Sequence, residues 1–398
     1  METLFYLGLI LLLGALTQWL SPKLGIPQVV AYLLLGLIIG PEVLGFIPME
    51  FVENSYIVTD LSLSIIAVLV GATLKISTLR GRGKEIAYIT FFQSVITFLA
   101  VLLAFAFLGL FLGFPEGKSL IMALLLAGIA TATAPATPLA IVRELGAKGK
   151  FTSTFLAIVA TDDAVALMFF SMSLSLGTAL LGSNVFEWKT IMDTFILVGS
   201  SVLLGTVAAL INTGSEKLLV HKKGMETIAT LGLIFIVYSL SEHWKLEPLL
   251  SAMVMGAVMV NTSPAFDIVE EEIDKHLAEL IFMLFFILSA MHLQFAAIVA
   301  FPLAIELYII TRFFGKVFGS YLGAFLSHSS HVVKKYMGLA LLPQAGVAIG
   351  LALSLQQHEG FEDIAPIILN IVITTTLIHE LIGPFLTRHA LKKSGDVS

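Results

Sequence analysis

Apolar stretches of about 20 residues recur along almost the whole chain. Hydrophobic residues make up 58% of the 398 residues, whereas charged residues make up 13%, about half the charged fraction of a soluble domain. The mean hydropathy is +0.98. A helix of this length crosses the hydrocarbon core of a bilayer and satisfies its own backbone hydrogen bonds there. The sequence therefore predicts an all-α polytopic membrane protein.

The apolar runs and the polar breaks between them predict about thirteen transmembrane helices. The first run has no basic residue before it and no small-residue cleavage pattern after it, so it is interpreted as a span and not as a signal peptide. The predicted spans are 3–20, 27–46, 57–75, 85–113, 118–143, 151–180, 190–214, 223–243, 247–262, 275–296, 299–326, 334–357 and 363–391.

The basic residues predict the orientation of the chain. Loops rich in Lys and Arg remain in the cytoplasm. Of the 22 basic residues, three lie in one set of alternate loops, namely Lys118, Lys189 and Lys245. Seventeen lie in the other set: Lys23, Lys75, Arg80, Arg82, Lys84, Arg143, Lys148, Lys150, Lys217, Lys222, Lys223, Lys275, Lys334, Lys335, Arg388, Lys392 and Lys393. We therefore expect a multi-pass protein of the cell membrane, with its amino terminus outside and its carboxyl terminus in the cytoplasm.

Composition and motifs exclude several functions. The chain has no cysteine, which excludes disulfides, thiol redox switching and cysteine metal sites. It has no phosphate-binding glycine loop followed by Lys and Ser or Thr, which argues against a pump driven by ATP. After Arg388 we expect only a short polar tail. We expect no enzyme activity, no cofactor and no nucleic-acid partner.

Two adjacent acidic residues, Asp162 and Asp163, lie in the middle of the apolar run 155–176. An ionisable residue at that depth is costly, so the pair is a functional-site hypothesis by default. Arg312 and Lys316 lie at a similar depth in another run. Consecutive helical residues point about 100° apart, so the two aspartates cannot share one role. One can face a cation in a cavity while the other faces a basic partner.

A weak internal repeat runs through the chain. Residues 27–36 resemble residues 248–256, seven spans later, so the two segments have opposite directions in the membrane. The same offset relates span five, interrupted at Pro135, to span twelve, interrupted at Pro343 and Gln344. A single proline is often only a kink. Inverted repeats with paired interruptions are typical of secondary transporters, whose binding site lies at the breaks. We therefore predict two broken helices that cross at the membrane midplane.

Six stretches, taken together, resemble the monovalent cation/proton antiporter superfamily in its sodium/proton and Kef-like branch, and the resemblance covers essentially the whole chain. They are Pro27 to Gly45, Ala130 to Thr137, Ala160 to Ala164, Arg312 to Lys316, Leu342 to Ala348 and Glu380 to Pro384. The resemblance implies a scaffold and dimer domain at 1–80 and 223–296, an ion-transporting core domain at 81–180 and 297–391, a linker helix at 181–222 and a cytoplasmic tail at 392–398.

The resemblance also implies residue roles. Asp163 is expected to be the exchange site for the cation and the proton. Asp162 matches the neighbouring position that pairs with the basic residue of span eleven, which Arg312 matches best. Backbone oxygens and the hydroxyls of Thr133 or Thr161 are expected to help bind the cation.

Two further residues keep two interpretations each. Lys316, one turn from Arg312, is a second partner for Asp162 or a cation that neutralises the broken span twelve. Glu380, deep in the last span, forms a structural hydrogen bond with a helix end or has a role in the cytoplasmic funnel.

These observations predict a secondary-active antiporter that exchanges Na⁺, with Li⁺ or K⁺ as further candidates, for H⁺ by alternating access. The alternatives are a potassium/proton antiporter and a Kef-like cation efflux channel, although Kef-type members commonly carry a cytosolic nucleotide-binding domain and lack the double Asp. A sodium-coupled organic-anion symporter would need more Asn, Gln and Glu at the crossing.

Two expectations concern charge and assembly. If Arg312 pairs with Asp162, exchange should be close to electroneutral, because arginine keeps its charge, whereas Lys316 in that role can release a second proton. The matched glycines Gly36 and Gly256, together with the resemblance, place spans one to three and eight to ten in a scaffold that forms a homodimer.

Overall fold

The computed structural model describes residues 2–109, 114–115, 117–183, 188–219, 224–291, 301–355 and 360–397. This described part of the chain is helical and contains no strand. Parts of the predicted spans and linker, at 110–113, 184–187, 220–223, 292–300 and 356–357, lie outside it. The helices are α1 Glu2–Leu24, α2 Gln28–Ile39, α3 Met49–Asn54, α4 Tyr56–Ala72, α5 Ile76–Leu79, α6 Gly83–Leu108, α7 Ser119–Ala130, α8 Ala136–Leu145, α9 Lys150–Thr178 with a π-helical turn Ala179–Ser183, α10 Trp188–Leu219, α11 Met225–His243, α12 Pro248–Thr262, α13 Phe266–His276, α14 Ala278–Met291, α15 Pro302–Leu326, α16 His331–Ala340, α17 Gly346–Ser354 and α18 Ala365–Ser394.

Prolines explain the two interruptions. Span five is divided into α7 and α8, with Pro135 directly before α8, and span twelve is divided into α16 and α17, with Pro343 between them. Proline lacks the backbone donor that a continuing helix requires. Each predicted span contains a described helix. The predicted all-helical fold with two interrupted helices is therefore confirmed.

The outward faces of the helices are apolar. Six of the described helices are long and apolar enough to cross a membrane, and five shorter apolar helices accompany them. Large side chains such as Leu12 on α1 and Phe107 on α6 point away from the protein, with exposed fractions of 73% and 75%. Such extensive apolar surface is expected where lipid is the solvent. The chain is a multi-pass membrane protein.

The chain divides into two compact units. The first consists of Met1–Arg80, Leu139–Glu144 and Ile196–His292, and the second of Gly81–Pro138, Leu145–Phe195 and Leu293–Ser398. The roles of scaffold, core and linker that the resemblance implies stay predictions.

In the first unit, α2 packs on α14 and α4 packs on α12. The repeat relates α2 to α12 and α4 to α14, so the two contacts are equivalent. A Cβ at Gly36 would collide with the Ile287 carbonyl, and one at Gly256 would collide with the Val68 carbonyl. The matched glycines therefore allow close packing between helices of one chain, and the homodimer stays a prediction.

In the second unit, α6 and α15 pack along their length. The two interruptions meet, because the Ala134 amide donates a hydrogen bond to the Pro343 carbonyl at 3.0 Å. Helices α9 and α18 also contact this region. The crossing of the broken helices therefore lies against the helices that carry the predicted ionisable residues.

Candidate functional site

Arg312 binds the backbone of both interruptions. Its side chain is fully buried. Its Nε donates to the Ala130 carbonyl at 3.0 Å, Nη2 to the Ala132 carbonyl at 2.8 Å and Nη1 to the Leu342 carbonyl at 2.6 Å. These carbonyls lie at or just after the carboxyl ends of α7 and α16, where the negative ends of helices lack intrahelical donors. The expectation that Arg312 pairs with Asp162 is corrected, because the guanidinium donates hydrogen bonds to these three backbone carbonyls instead.

Lys316 is the basic residue that pairs with Asp162. Its Nζ lies 3.0 Å from Asp162 Oδ2, and both side chains are fully buried. The ammonium also donates to the Thr131 carbonyl at 2.6 Å and to Thr133 Oγ1 at 2.7 Å. All three of its hydrogens thus have acceptors, and the first of the two interpretations for Lys316 is the one that the geometry supports.

Four donors surround the carboxylate of Asp162. Besides Lys316, these are the Thr133 hydroxyl on Oδ2 and two side chains of α6 on Oδ1, the Gln93 amide and the Ser94 hydroxyl, the latter at 3.3 Å. A buried ion pair is stable only when its remaining lone pairs are hydrogen-bonded, and here they are. Sequence reasoning missed Gln93 and Ser94. Their signal was a polar pair inside the apolar run of α6.

Asp163 occupies a different position on α9. It is 2% exposed and follows Asp162, so its side chain points about 100° around the helix from the Lys316 pair. The two threonines predicted to help bind a cation are engaged at separate places. Thr133 binds Asp162 and Lys316, whereas Thr161 donates to carbonyls of its own helix at 3.0 and 3.1 Å.

Gln344 joins the two interruptions through its side chain. Its Nε2 donates to the Ile129 carbonyl at 3.2 Å and to Tyr308 Oη at 3.0 Å. Gln344 and Tyr308 are both fully buried. The side chain of Gln344 thus links the two broken helices. The breaks lie at Pro135 and at Pro343 and Gln344, where the sequence predicts them. Tyr308, on α15, is a further residue that sequence reasoning missed.

Glu380 contacts the amino-terminal end of α8, the second half of the first broken helix. Its Oε2 accepts a hydrogen bond from Thr137 Oγ1 at 2.7 Å, and Glu380 is 6% exposed. Thr137 lies in the first turn of α8, where the helix dipole favours a negative charge. The structure thus shows the hydrogen bond with a helix end. The cations of Arg312 and Lys316 thus lie at the carboxyl ends of broken helices, whereas the carboxylate of Glu380 lies at an amino-terminal end.

Comparisons with known proteins identify the family of the chain. A family model described as "Sodium/hydrogen exchanger, transmembrane" matches residues 8–393. The chain is 26% identical over 390 residues to the Na(+)/H(+)-K(+) antiporter GerN of Bacillus cereus, covering 95% of this chain and 94% of that protein. It is 29% identical over 244 residues to Na(+)/H(+) antiporter 1 of Methanocaldococcus jannaschii, covering 60% of this chain and 54% of that protein.

Solved structures show the same fold. Two structures of the sodium proton antiporter MjNhaP1 from Methanocaldococcus jannaschii match with TM-scores of 0.76 and 0.69, at 23% and 22% identity. Each match covers 98% of this chain and at least 97% of the solved chain. Because the family model spans nearly the whole sequence, the chain belongs to the transmembrane sodium/hydrogen exchanger family.

Proposed function

We propose that the protein is a secondary-active antiporter that exchanges Na⁺ for H⁺ by alternating access, with Asp163 as the shared site. One observation carries the proposal: a buried aspartate pair on α9 lies at the crossing of two interrupted helices, and one member of the pair is already bound to Lys316. The relatives named as antiporters support it. The name of GerN includes K⁺, so K⁺ belongs in the test.

The buried charges of the second unit explain how movement of the cation is coupled to movement of the proton. Among the residues that the structure describes, the buried acidic and basic side chains near the crossing are the carboxylates of Asp162, Asp163 and Glu380 and the cations of Arg312 and Lys316. With all five ionised, the net charge is one negative. A proton at Asp163 removes the charge of that carboxylate, and a Na⁺ there compensates it by direct contact. Because a bare carboxylate is costly in a low-dielectric site, the protein changes conformation easily with Asp163 occupied and not with Asp163 empty. This difference couples cation movement to proton movement.

Lys316 sets the expected stoichiometry. A lysine ammonium in a buried site can release its proton when a cation arrives nearby, whereas an arginine guanidinium keeps its charge. The electroneutral expectation depended on Arg312 as the partner of Asp162. With Lys316 in that position, a second proton is available in each cycle, and we expect exchange to move net charge across the membrane.

Orientation and assembly are part of the same proposal. The distribution of basic residues supports a cytoplasmic carboxyl terminus in the cell membrane. Closed two-fold symmetry is the commonest assembly of identical chains, and the family resemblance assigns the pairing surface to spans one to three and eight to ten, so we propose a homodimer formed through these spans.

The test of function is Asp163→Asn. This change keeps the size of the side chain but removes both its charge and its titration, so Na⁺-driven H⁺ exchange by purified protein in liposomes should vanish while the protein still folds. Asp193→Asn is the matched control, because Asp193 is exposed on α10. Runs with Na⁺, Li⁺ and K⁺ in turn identify the substrate. Near-normal exchange by Asp163→Asn would overturn the assignment.

A further inference from the structure

Helix α15 carries an aromatic ridge on its outer side, opposite the buried face that bears the two cations. The ridge consists of Phe314, Phe318, Tyr321 and Phe325, which recur at the spacing of one helical face. Each is between 43% and 55% exposed. Phe314 stacks on Phe318 with ring centroids 5.4 Å apart, and Tyr321 stacks on Phe325 at 6.3 Å. The ridge is therefore an apolar aromatic surface along one face of α15.

A groove of about 580 Å³ runs between this ridge and α16. Its basic end is formed by His331, Lys334 and Lys335 in the first turns of α16. The Lys334 ammonium lies 5.4 Å from the centroid of the Phe325 ring, so the charge and the ridge adjoin. Among the described residues that line the groove there is no carboxylate. The groove is therefore apolar along its length and positively charged at one end.

The length of the ridge matches one leaflet of a bilayer. From Phe314 to Phe325 the helix advances by 11 residues, or about 16 Å at roughly 1.5 Å per residue. The hydrocarbon core is about 30 Å thick, so one leaflet is about 15 Å. The basic end adjoins the loop at 327–330, on the side that the basic residues place in the cytoplasm. The charged end thus reaches headgroup level while the ridge extends toward the bilayer centre.

We propose that this groove binds one anionic phospholipid, with its phosphate on Lys334 and Lys335 and an acyl chain along the aromatic ridge. Basic pockets between transmembrane helices on the cytoplasmic side suit anionic headgroups. A zwitterionic lipid offers the same chain without the net negative charge, and inorganic phosphate offers the charge without the chain. The lipid would contact the outer side of the helix that carries Arg312 and Lys316. The proposal does not depend on the antiport proposal, because its test measures binding and not transport.

The first arm of the test measures the headgroup. Purified full-length protein in a neutral detergent is titrated with dioleoyl-phosphatidylglycerol, and the bound lipid is followed by native mass spectrometry. The double variant Lys334→Gln/Lys335→Gln removes both lysines of the groove and should weaken the apparent affinity for phosphatidylglycerol roughly ten- to thirty-fold. Lys392→Gln/Lys393→Gln is the matched control, because it removes two exposed lysines from the end of α18 and should leave the affinity unchanged. An equal loss in both double variants would reduce the effect to general surface charge and overturn the proposal.

The second arm measures the chain and the source of the phosphate. Phe318→Ala leaves every lysine in place and should also weaken phosphatidylglycerol binding, whereas Phe107→Ala, on the exposed side of α6, should not. This arm decides the question even where the double lysine variant fails to fold. Dioleoyl-phosphatidylcholine should bind at least about ten-fold more weakly than phosphatidylglycerol, and inorganic phosphate should not displace the lipid. Equal binding of the two lipids, or displacement by phosphate, would overturn the proposal.

Discussion

Arg312 and Lys316, one helical turn apart on α15, bind different partners. The planar guanidinium of Arg312 reaches three carbonyls at the helix ends, whereas the compact ammonium of Lys316 reaches one carbonyl, one hydroxyl and the carboxylate of Asp162. The shapes of the two groups explain the division, because a fork suits several fixed acceptors and a point charge suits a crowded pocket. We infer that the two side chains are not interchangeable.

The prediction at this scale concerns voltage. Lys316→Arg keeps the positive charge beside Asp162 but removes the releasable proton. Na⁺-driven H⁺ flux in liposomes should depend on the clamped membrane potential in the natural protein and lose that dependence in Lys316→Arg. Lys84→Arg, an exposed substitution on α6, is the control and should behave like the natural protein. If the natural protein itself shows no voltage dependence, no net charge moves and the lysine argument fails.

At the scale of elements, the site depends on how closely α15 approaches α6. Gly315, Gly319 and Gly323 recur at every fourth position of α15 and face the backbone of α6. A Cβ at Gly319 would lie 2.6 Å from the Gln93 Cα. Because Gln93 binds Asp162, the approach of the two helices also sets the position of a donor to the carboxylate.

Gly319→Ala tests this packing. Forcing a methyl group against a neighbouring backbone costs about 1–3 kcal/mol, so the thermal unfolding temperature of the detergent-solubilised protein should fall. Gly232→Ala is the control, because its Cβ on α11 would meet open space and alanine favours a helix by about 1 kcal/mol over glycine. The two variants should therefore shift the unfolding temperature in opposite directions. A stabilised Gly319→Ala protein would show that the helices are not in tight contact.

At the scale of the whole molecule, the basic residues predict which loops face the cytoplasm. Lys118, before α7, forms an ion pair with Asp363, before α18, at 2.7 Å. The sequence places both residues on the outer side. Lys392, at the end of α18, is placed on the inner side. The two sides therefore contain exposed positions at which the orientation can be measured.

The absence of natural cysteine makes that measurement simple. Glu362 and Lys392 are both exposed, and each can be replaced singly by Cys. A membrane-impermeant maleimide should label Glu362→Cys in intact cells, whereas it should label Lys392→Cys only after permeabilisation. The reverse pattern would invert the proposed orientation.

Assembly is the second prediction at this scale. The detergent-corrected mass of the purified protein, measured by light scattering, should be near twice 42.9 kDa if the homodimer forms. A mass near that of one chain in every mild detergent would contradict the dimer. Since Gly36 and Gly256 are used within the chain, substitutions at these positions should lower folded yield and are unsuitable as interface probes.

The sequence by itself determined the helical membrane class, the two interruptions and the aspartate pair. Apolar run length, the missing donor of Pro135 and Pro343, and the cost of Asp162 and Asp163 in lipid are local properties, so they can be recognised without a fold. The family resemblance was also available from motif order, and the family match confirms it.

Only the tertiary structure decided which side chains meet. Arg312 and Lys316 lie one turn apart on one face, and sequence spacing cannot tell which of them reaches Asp162. The choice depends on where the carbonyls of two distant interruptions fall when the broken helices cross. Gln93 became a donor to Asp162 for the same reason, because α6 and α9 bring together residues that the sequence separates by 69 positions. Contacts between helices join residues that are far apart in the sequence, so local pattern does not identify the particular side chains that meet.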